Sequence, residues 1–469
     1  MKNNRQLGIY IHIPFCVRKC DYCDFLSGPA TDCVKAEYIE ALKCEIAHTA
    51  EVITKKADRA KGYQSEAYQE KAYQEKAYQE KAYKEKIYQS EAYREKAYQV
   101  ETIFIGGGTP TAVNAEFIAQ LLHEVRKNFY VVPSAEITIE CNPGTLTKEK
   151  ADIYKGAGIN RISFGLQSAD DKLLKLIGRI HTWEDFEKSM EIARAAGFDN
   201  INVDIMSALP GQTLDGYACG LKKVLAYEPE HISAYSLILE EGTPLGDNTS
   251  KYPPVPDEDT EREMYYETLR ILEGCGYHRY EISNYAKPGY ECRHNLSYWD
   301  RKDYLGFGVG AASLFEGKRT SNIRSVDEYI NLMRCSAGST SSEAEVRLCS
   351  ESEGSTSSEV EGKPCSEVEV LSREDAMSEF MFLGLRKTAG VSFFDFAAQF
   401  GEDISSIFGA AIEENVAKGL LEYVDEQGAA VKVGLNMGSA IKNDSAPFGC
   451  RLTSRGIDVS NVVLADFLL

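Results

Sequence analysis

The sequence from Tyr10 to Cys23 reads YIHIPFCVRKCDYC, and it governs the interpretation of the rest of the chain. Three cysteines, Cys16, Cys20 and Cys23, follow a β-branched apolar run and are separated by three and then two residues. This spacing lets three thiolates converge on one inorganic centre, and a cubane iron–sulfur cluster held by three cysteines keeps one iron open to another ligand. Zinc is the alternative, but structural zinc takes four protein ligands and no second cysteine pair stands nearby. The pattern therefore favours a [4Fe-4S] cluster with one open iron.

The composition restricts the classes of function. The chain has 469 residues, of which 43% are hydrophobic, enough for two or three domains with full cores. Lys and Arg number 52 against 72 Asp and Glu, and this net charge of −20 opposes a phosphate-backbone footprint, so we expect no nucleic-acid partner. No apolar run has the form of a signal peptide or membrane span. Thirteen cysteines without a secretion signal then favour reduced thiols and a cytoplasmic location.

Short β-branched runs alternate with amphipathic segments as far as about residue 240. Such alternation implies parallel strand pairing through right-handed helical crossovers. Six units suit an incomplete (β/α)6 barrel better than a closed eight-unit barrel, and we expect residues 1–240 to form this α/β domain. The predicted strands lie near residues 9–13, 102–106, 136–140, 161–165, 201–205 and 231–237, and the predicted helices near 34–50, 115–128, 148–156, 182–196 and 214–226.

Two stretches interrupt this pattern. Within residues 52–99 a tyrosine recurs every fifth residue, a step that turns a helix by roughly 500° and builds no continuous apolar face. We expect a solvated, partly helical insertion away from the chemistry. Residues 336–372 are rich in Ser, Glu and Gly, a composition that cannot offset ordering entropy, so we expect a disordered linker. Residues 241–335 are then an extension of the barrel, and residues 373–469, where helical periodicity returns, a small mainly helical, winged-helix-like domain.

Polar and glycine residues stand at the ends of the predicted strands, where parallel barrels collect their functional groups. The glycines at 106–108, followed by Thr109, allow a ligand to approach the backbone closely. A carboxylate there can accept ribose hydroxyls, and an arginine can pair with a carboxylate. Structural salt bridges would use the same residue types and are the alternative. The polar residues at or just beyond strand ends are Glu140, Gln167, Arg179 and Asp204.

The cysteine triplet in this context resembles the radical S-adenosylmethionine (SAM) superfamily. In that superfamily the amino and carboxylate groups of SAM chelate the open iron, and the reduced cluster cleaves SAM to a 5′-deoxyadenosyl radical. The resemblance implies that Cys16, Cys20 and Cys23 hold the cluster. For Tyr10 an ordinary strand aromatic is the alternative to a SAM contact. The SAM contacts that the resemblance implies are Tyr10, Gly107, Gly108, Thr109, Glu140, Gln167, Arg179 and Asp204.

Three motifs resemble the oxygen-independent coproporphyrinogen III oxidase branch of this superfamily: IHIPFC at 11–16, RISFGLQS at 161–168 and LPGQT at 209–213. The branch contains a true oxidase, which decarboxylates porphyrinogen propionates, and a haem chaperone. The oxidase pattern has a further cysteine two residues after the triplet, where this chain has Phe25. The oxidase also has an N-terminal arm, whereas only fifteen residues precede Cys16. Both differences favour the chaperone, with the oxidase as the alternative.

A second motif points the same way, because residues 292–299 read CRHNLSYW and His-Asn-x-x-Tyr is associated with haem binding in the chaperone group. In a helix His294 and Tyr298 share one face, so an imidazole there could ligate haem iron. A histidine that caps a turn beside a packed tyrosine is the alternative. The resemblance implies a protein that binds a [4Fe-4S] cluster, SAM and haem. It further implies an electron donor protein and a haem acceptor protein, with a respiratory haem enzyme as the first candidate.

Overall fold

The computed structural model describes residues 6–60, 98–338, 364–431 and 447–469. Most of the tyrosine repeat and of the Ser/Glu-rich segment lies outside these ranges, so the predictions for residues 61–97 and 339–363 concern residues that are not described. Within the described ranges, no helix has the length and apolar character needed to cross a membrane.

Six parallel strands form an arc in the order β1-β2-β3-β4-β5-β6, which confirms the incomplete (β/α)6 barrel. The strands β1, β4 and β5 are buried along almost their whole length because both faces are covered. The arc does not close, since β1 and β6 each pair with a strand of the extension. The six strands are β1 (Gln6–Ile13), β2 (Gln99–Gly107), β3 (Tyr130–Cys141), β4 (Arg161–Gln167), β5 (Ile201–Ser207) and β6 (His231–Ser236).

Helices cover the outside of the arc, as the amphipathic segments predicted. The second of them buries Ile118, Leu121, Leu122 and Val125, a spacing of three and four residues that places them on one helix face. The first helix runs ten residues beyond its predicted end at residue 50, into the predicted insertion. These helices are α1 (Asp32–Ala60), α2 (Ala115–Asn128), α3 (Lys148–Gly156), α4 (Asp171–Leu176), α5 (Trp183–Ala195) and α6 (Leu214–Leu225), with a 3-10 turn at Pro110–Ala112.

The extension lengthens the sheet at both edges. After α7 (Pro244–Asp247), a 3-10 turn at Thr249–Lys251 and α8 (Glu258–Gly274), a short hairpin joins the β6 edge. The next strands join the β1 edge, where the first of them runs parallel to β1. The remaining elements are β7 (His278–Arg279), β8 (Asn284–Ala286), α9 (Arg293–Trp299), β9 (Tyr304–Phe307), β10 (Ala312–Phe315), β11 (Lys318–Asn322), α10 (Val326–Gly338) and β12 (Cys365–Val370).

The last part of the predicted linker is a strand, which corrects the expectation of disorder through residue 372. Strand β12 pairs with β11 in antiparallel register, from Lys318 opposite Val370 to Asn322 opposite Cys365. Its sequence, CSEVEV, alternates β-branched and polar residues, a local strand pattern that the overall Ser and Glu content conceals. The start of the segment differs too, because α10 continues to residue 338. Pairing with an existing sheet edge supplies the backbone hydrogen bonds that offset the entropy of ordering.

The C-terminal part has its own core, built around Met381, Phe396, Ile412 and Phe467. Helices surround a small antiparallel sheet of order β13-β16-β14-β15. The elements are α11 (Arg373–Gly384), β13 (Val391–Ser392), α12 (Phe393–Phe400), α13 (Ile404–Ala417), β14 (Leu421–Val424), β15 (Ala430–Val431), β16 (Gly449–Leu452), α14 (Ser454–Asp458) and α15 (Ser460–Ala465).

Buried charge joins this part to the barrel extension. Glu379 of α11 accepts hydrogen bonds from Arg301 Nε at 2.8 Å and from Arg319 Nη2 at 2.6 Å. The Arg386 guanidinium lies 4.3 Å from the Trp299 ring centroid, at the end of α9. The C-terminal part therefore contacts the C-terminal end of α9, the helix that carries the His-Asn-x-x-Tyr motif.

Candidate cofactor cavity

A cavity of about 350 Å³ opens at the carboxyl ends of the barrel strands. The three cysteines and seven of the eight predicted SAM contacts line it, although they are distant in sequence. They meet there because the carboxyl ends of parallel strands lie at one edge of the sheet. The predicted residues that line the cavity are Cys16, Cys20, Cys23, Gly107, Gly108, Thr109, Glu140, Gln167, Arg179 and Asp204.

The cysteine loop is fixed at its base, and its thiols remain partly exposed. The Cys16 N–H donates to the Gly28 carbonyl at 2.9 Å, and Cys16 Sγ lies 3.3 Å from Thr109 Oγ1. Arg179 donates from Nη1 to Cys20 Sγ at 3.7 Å. Burial raises the pKa of the Cys23 thiol, and a bound metal centre would favour its thiolate form.

The donor set fits an iron–sulfur cluster. Among the side chains that the structure describes, no group of three or more His, Cys, Asp or Glu is placed to hold a single metal ion. The thiols of Cys16, Cys20 and Cys23 line one cavity. A [4Fe-4S] cluster held by three cysteines would keep one iron position available to an exogenous ligand.

The glycine run forms a tight cradle beside the cysteine loop. Gly107 has φ +113°, and a Cβ atom there would lie 2.6 Å from the His12 ring. A Cβ atom at Gly108 would lie 2.9 Å from the Phe15 carbonyl oxygen and 3.0 Å from Cys16 Sγ. Any side chain at these two positions would displace the loop that carries the cysteines.

Two buried carboxyl groups face the cavity. Burial, together with the charge of Asp204, raises the pKa of Glu140 to about 8, against the lowering effect of the Gly107 N–H, which donates to Glu140 Oε2 at 3.0 Å. Burial also raises the pKa of Asp204, although Asn202 Nδ2 donates to Asp204 Oδ1 at 2.7 Å. Two carboxyls that resist ionisation favour a cationic ligand, which would stabilise their charged forms.

Arg179 is the buried cation of the cavity. Its Nη2 donates to Asn142 Oδ1 at 2.8 Å and also to the Gly165 carbonyl oxygen. Its Nε is buried and has no hydrogen-bond partner among the described residues. An anionic group in the cavity would satisfy this donor. The cavity therefore offers two carboxyls to cationic groups of a ligand and a guanidinium to an anionic group.

Gln167 holds a strained backbone at the end of β4. Its φ is +72°, a value that residues other than glycine adopt rarely, and Tyr235 donates from its hydroxyl to Gln167 Oε1 at 2.9 Å. Such outliers gather at ligand sites, where the surrounding structure enforces them.

Tyr10 lies below the cavity and does not line it. Its hydroxyl lies 2.9 Å from His12 Nδ1, and its ring stacks with Phe104 at a centroid distance of 6.4 Å. A contact between Tyr10 and SAM therefore stays a prediction.

His294 and Tyr298 also lie apart from the cavity. The segment is helical, as α9, and His294 is 1% exposed. Both ring nitrogens are engaged, Nδ1 at 2.8 Å from Thr102 Oγ1 and Nε2 at 2.8 Å from the Tyr298 hydroxyl. Burial and the nearby Arg161 lower the pKa of His294 to about 3. Neither nitrogen is available to haem iron in this conformation.

Sequence reasoning missed several residues of the cavity and its surroundings. Asn142 connects Thr109 to Arg179 and stands two residues after Glu140, so its position after a strand end was a usable signal. Tyr22 lies inside the cysteine loop and could have been found there. Met206 and Tyr235 gave no signal because an apolar or aromatic residue near a strand end usually belongs to the core.

Comparisons with known proteins agree with this geometry. The sequence profile of the Radical SAM superfamily matches residues 10–217, and that of the HemN C-terminal domain matches residues 371–427. Heme chaperone HemW from Bacillus subtilis is 35% identical over 89% of this chain and 95% of its own length. Heme chaperone HemW from Escherichia coli is 36% identical over 65% of this chain and 69% of its own length.

The fold resembles a solved structure as well. Coproporphyrinogen III oxidase (HemN) from Escherichia coli, a radical SAM enzyme, superposes with a TM-score of 0.71 at 20% identity. The match covers 99% of this chain and 90% of that chain, so it includes the C-terminal part. At this identity the similarity concerns the fold.

Proposed function

The chain belongs to the HemW family within the radical SAM superfamily, and from this membership we propose that it binds haem and passes it to an acceptor protein. The observation that carries the proposal is the cavity in which three cysteines and the polar ends of β2–β5 face each other. The relatives named heme chaperone HemW support haem as the cargo.

Cys16, Cys20 and Cys23 would hold a [4Fe-4S] cluster, and the cavity beside them would hold SAM. When bound, the cluster supplies a low-potential electron and an open iron site. Glu140 and Asp204 accept hydrogen bonds from the cationic and hydroxyl groups of the ligand. Arg179 donates from its unpartnered Nε to a carboxylate. Gly107 and Gly108 let the ligand reach the backbone.

A haem-uptake assay tests the proposal. The protein is reconstituted anaerobically with iron and sulfide, titrated with haem, and followed at the Soret band. Stoichiometric uptake, followed by loss of the band to an added apo-haem protein, is the expected result. A matched incubation with coproporphyrinogen III, SAM and a reductant tests for oxidase activity. Turnover there without haem uptake would replace the chaperone with the oxidase.

A further inference from the structure

Large apolar side chains stand exposed where the cavity opens to solvent. Phe25, in the segment after β1, is 68% exposed, and Ile238, after β6, is 69% exposed. Both line the cavity, and the neighbouring Leu239 is 41% exposed. Exposed apolar groups that gather around a cavity mark a ligand or partner surface more often than scattered ones do. Phe25, Ile238 and Leu239 are called the apolar rim below.

The apolar surface continues from the rim into the cavity. Leu237 and Tyr235 of the same segment pack on a small buried cluster of Ile177, Met206 and Leu209. Met206, Tyr235 and Leu237 also line the cavity. A ligand at the mouth therefore meets apolar surface at the rim and along part of the inner wall, whereas the polar groups for SAM lie deeper, at the strand ends.

Two adjacent cations stand at the same mouth. Arg18 and Lys19 line the cavity from the cysteine loop and are exposed. Asp24 and Glu240 line it as well, so the mouth as a whole is not cationic. Arg18 and Lys19 are nevertheless adjacent cations on the cysteine loop of a chain whose net charge is −20. Two carboxylates on one edge of a flat apolar ligand would pair with them.

The helix that bears His294 offers no comparable space. The cavity beside α9 measures about 150 Å³, less than half of the volume at the barrel mouth, and polar side chains make up most of its lining. His294 itself is closed off by Thr102 and Tyr298. A planar macrocycle could reach His294 only if α9 left the barrel, against the hydrogen bonds that Glu136 accepts from the Arg293 and His294 N–H groups at 3.1 Å.

We propose that haem binds at the cavity mouth, with its macrocycle on the apolar rim and its propionates toward Arg18 and Lys19. This inference rests on the proposed function, which makes haem the cargo, and it adds the place and orientation of binding. It separates the haem site from the His-Asn-x-x-Tyr helix, whose His294–Tyr298 pair then serves the packing of the barrel interior.

The test uses exposed positions, so the variants fold like the wild type. The double variant Phe25→Ser/Ile238→Ser is compared in the full-length, cluster-loaded protein with Phe394→Ser/Val462→Ser, whose side chains are 70% and 65% exposed elsewhere. Haem titration should show at least about tenfold weaker binding for the first pair and no change for the second. Iron content should match the wild type in both pairs, and the haem titrations are carried out without SAM because Phe25 and Ile238 line the cavity assigned to it.

A second arm tests the orientation. Haem dimethyl ester lacks the propionate charges and should bind the wild type about tenfold more weakly than haem. The Arg18→Gln/Lys19→Gln variant should bind haem and the ester alike. Equal discrimination by the wild type and this variant would overturn the assignment of the propionates.

The remaining outcomes separate this inference from the function on which it rests. A wild type that takes up no haem would refute the proposed function itself. Normal haem binding by Phe25→Ser/Ile238→Ser would overturn the inference alone and would leave the rim as a protein-docking surface. Loss of haem binding in Tyr298→Phe, which removes only a hydroxyl, together with retention in the rim variant would assign haem to the α9 motif.

Discussion

Cys20 connects the cysteine loop to the far side of the cavity, because Arg179 donates to its sulfur, as Cys16 connects it to Thr109. We expect Cys20→Ala to lose the cluster, since two thiolates cannot hold a cubane against hydrolysis. Iron and sulfide analysis and visible absorbance after anaerobic reconstitution measure this loss. Cys33→Ala is the matched control, because Cys33 is an exposed cysteine in α1. A full cluster in Cys20→Ala would contradict the ligand assignment.

The raised pKa of Glu140 predicts how the affinity for SAM depends on pH. Its pKa is raised to about 8, so near neutral pH the empty cavity holds mostly the protonated carboxyl. A cationic ligand favours the ionised form, so binding releases a proton and affinity rises with pH, by up to about tenfold per pH unit, and levels off above pH 8.

Calorimetry in buffers of different ionisation enthalpy measures this proton release. In Glu140→Gln the pH dependence should flatten and the proton release should vanish. Glu149→Gln, at an exposed position in the first turn of α3, should behave like the wild type. Unchanged proton release in Glu140→Gln would show that another group titrates.

The sequence was sufficient to predict those residues of the cavity whose position follows from the order of the strands alone. Gly107, Glu140 and Asp204 were found because each stands at or near the end of a strand, and parallel strands bring their ends together. Spacing alone could not predict that Tyr10 and His294 do not line the cavity. Whether Tyr10 reaches the cavity depends on its depth within the barrel. Whether His294 is accessible depends on its contact with Thr102, which lies 192 residues away in the sequence. Neither quantity can be read from a local pattern.

At the scale of elements, α9 is held from both ends. Its first turn donates backbone N–H groups to Glu136 of β3. Beyond its last residue, Asp300 pairs with Lys387, and Arg301 pairs with Glu379. The helix is therefore a junction between the barrel interior and the C-terminal part. The spacing of His294 and Tyr298 showed that the two would share one face of a helix, but it did not indicate these partners, which come from distant segments.

The buried ion pairs of Glu379 allow a prediction of how much this junction contributes to the stability of the protein. It is 5% exposed and pairs with Arg301 and Arg319, so Glu379→Gln leaves a buried arginine without its counter-charge. We expect the free energy of unfolding to fall by about 3 kcal/mol, measured by urea denaturation. Glu374→Gln, at an exposed position on the same helix, should change it by less than about 0.5 kcal/mol. Equal stability of the two variants would contradict the role of Glu379.

At the scale of the whole molecule, the point where the chain returns from residues 61–97 and the cavity lie at opposite ends of β2. Helix α1 ends at residue 60 and β2 begins at Gln99, so residues 61–97 join at the amino end of β2. The cavity lies at the carboxyl ends of the strands. The repeat composition alone predicted an insertion, and the strand order predicted on which side it would leave.

Replacement of residues 61–97 by a flexible Gly-Ser linker of about twenty residues tests this separation. We expect unchanged iron content, SAM affinity and haem uptake, because both attachment points are remote from the cavity. Loss of haem uptake with an intact cluster would show that the repeat takes part in binding.

The account as a whole depends on a cluster that three cysteines hold and that offers its remaining iron to SAM. Mössbauer spectroscopy of protein reconstituted with ⁵⁷Fe, recorded with and without SAM, tests this most directly. The account predicts that one iron site of the [4Fe-4S] cluster changes its isomer shift and quadrupole splitting when SAM is added, while the others keep theirs. Spectra that show no cluster, or iron sites that are unaffected by SAM, would contradict it.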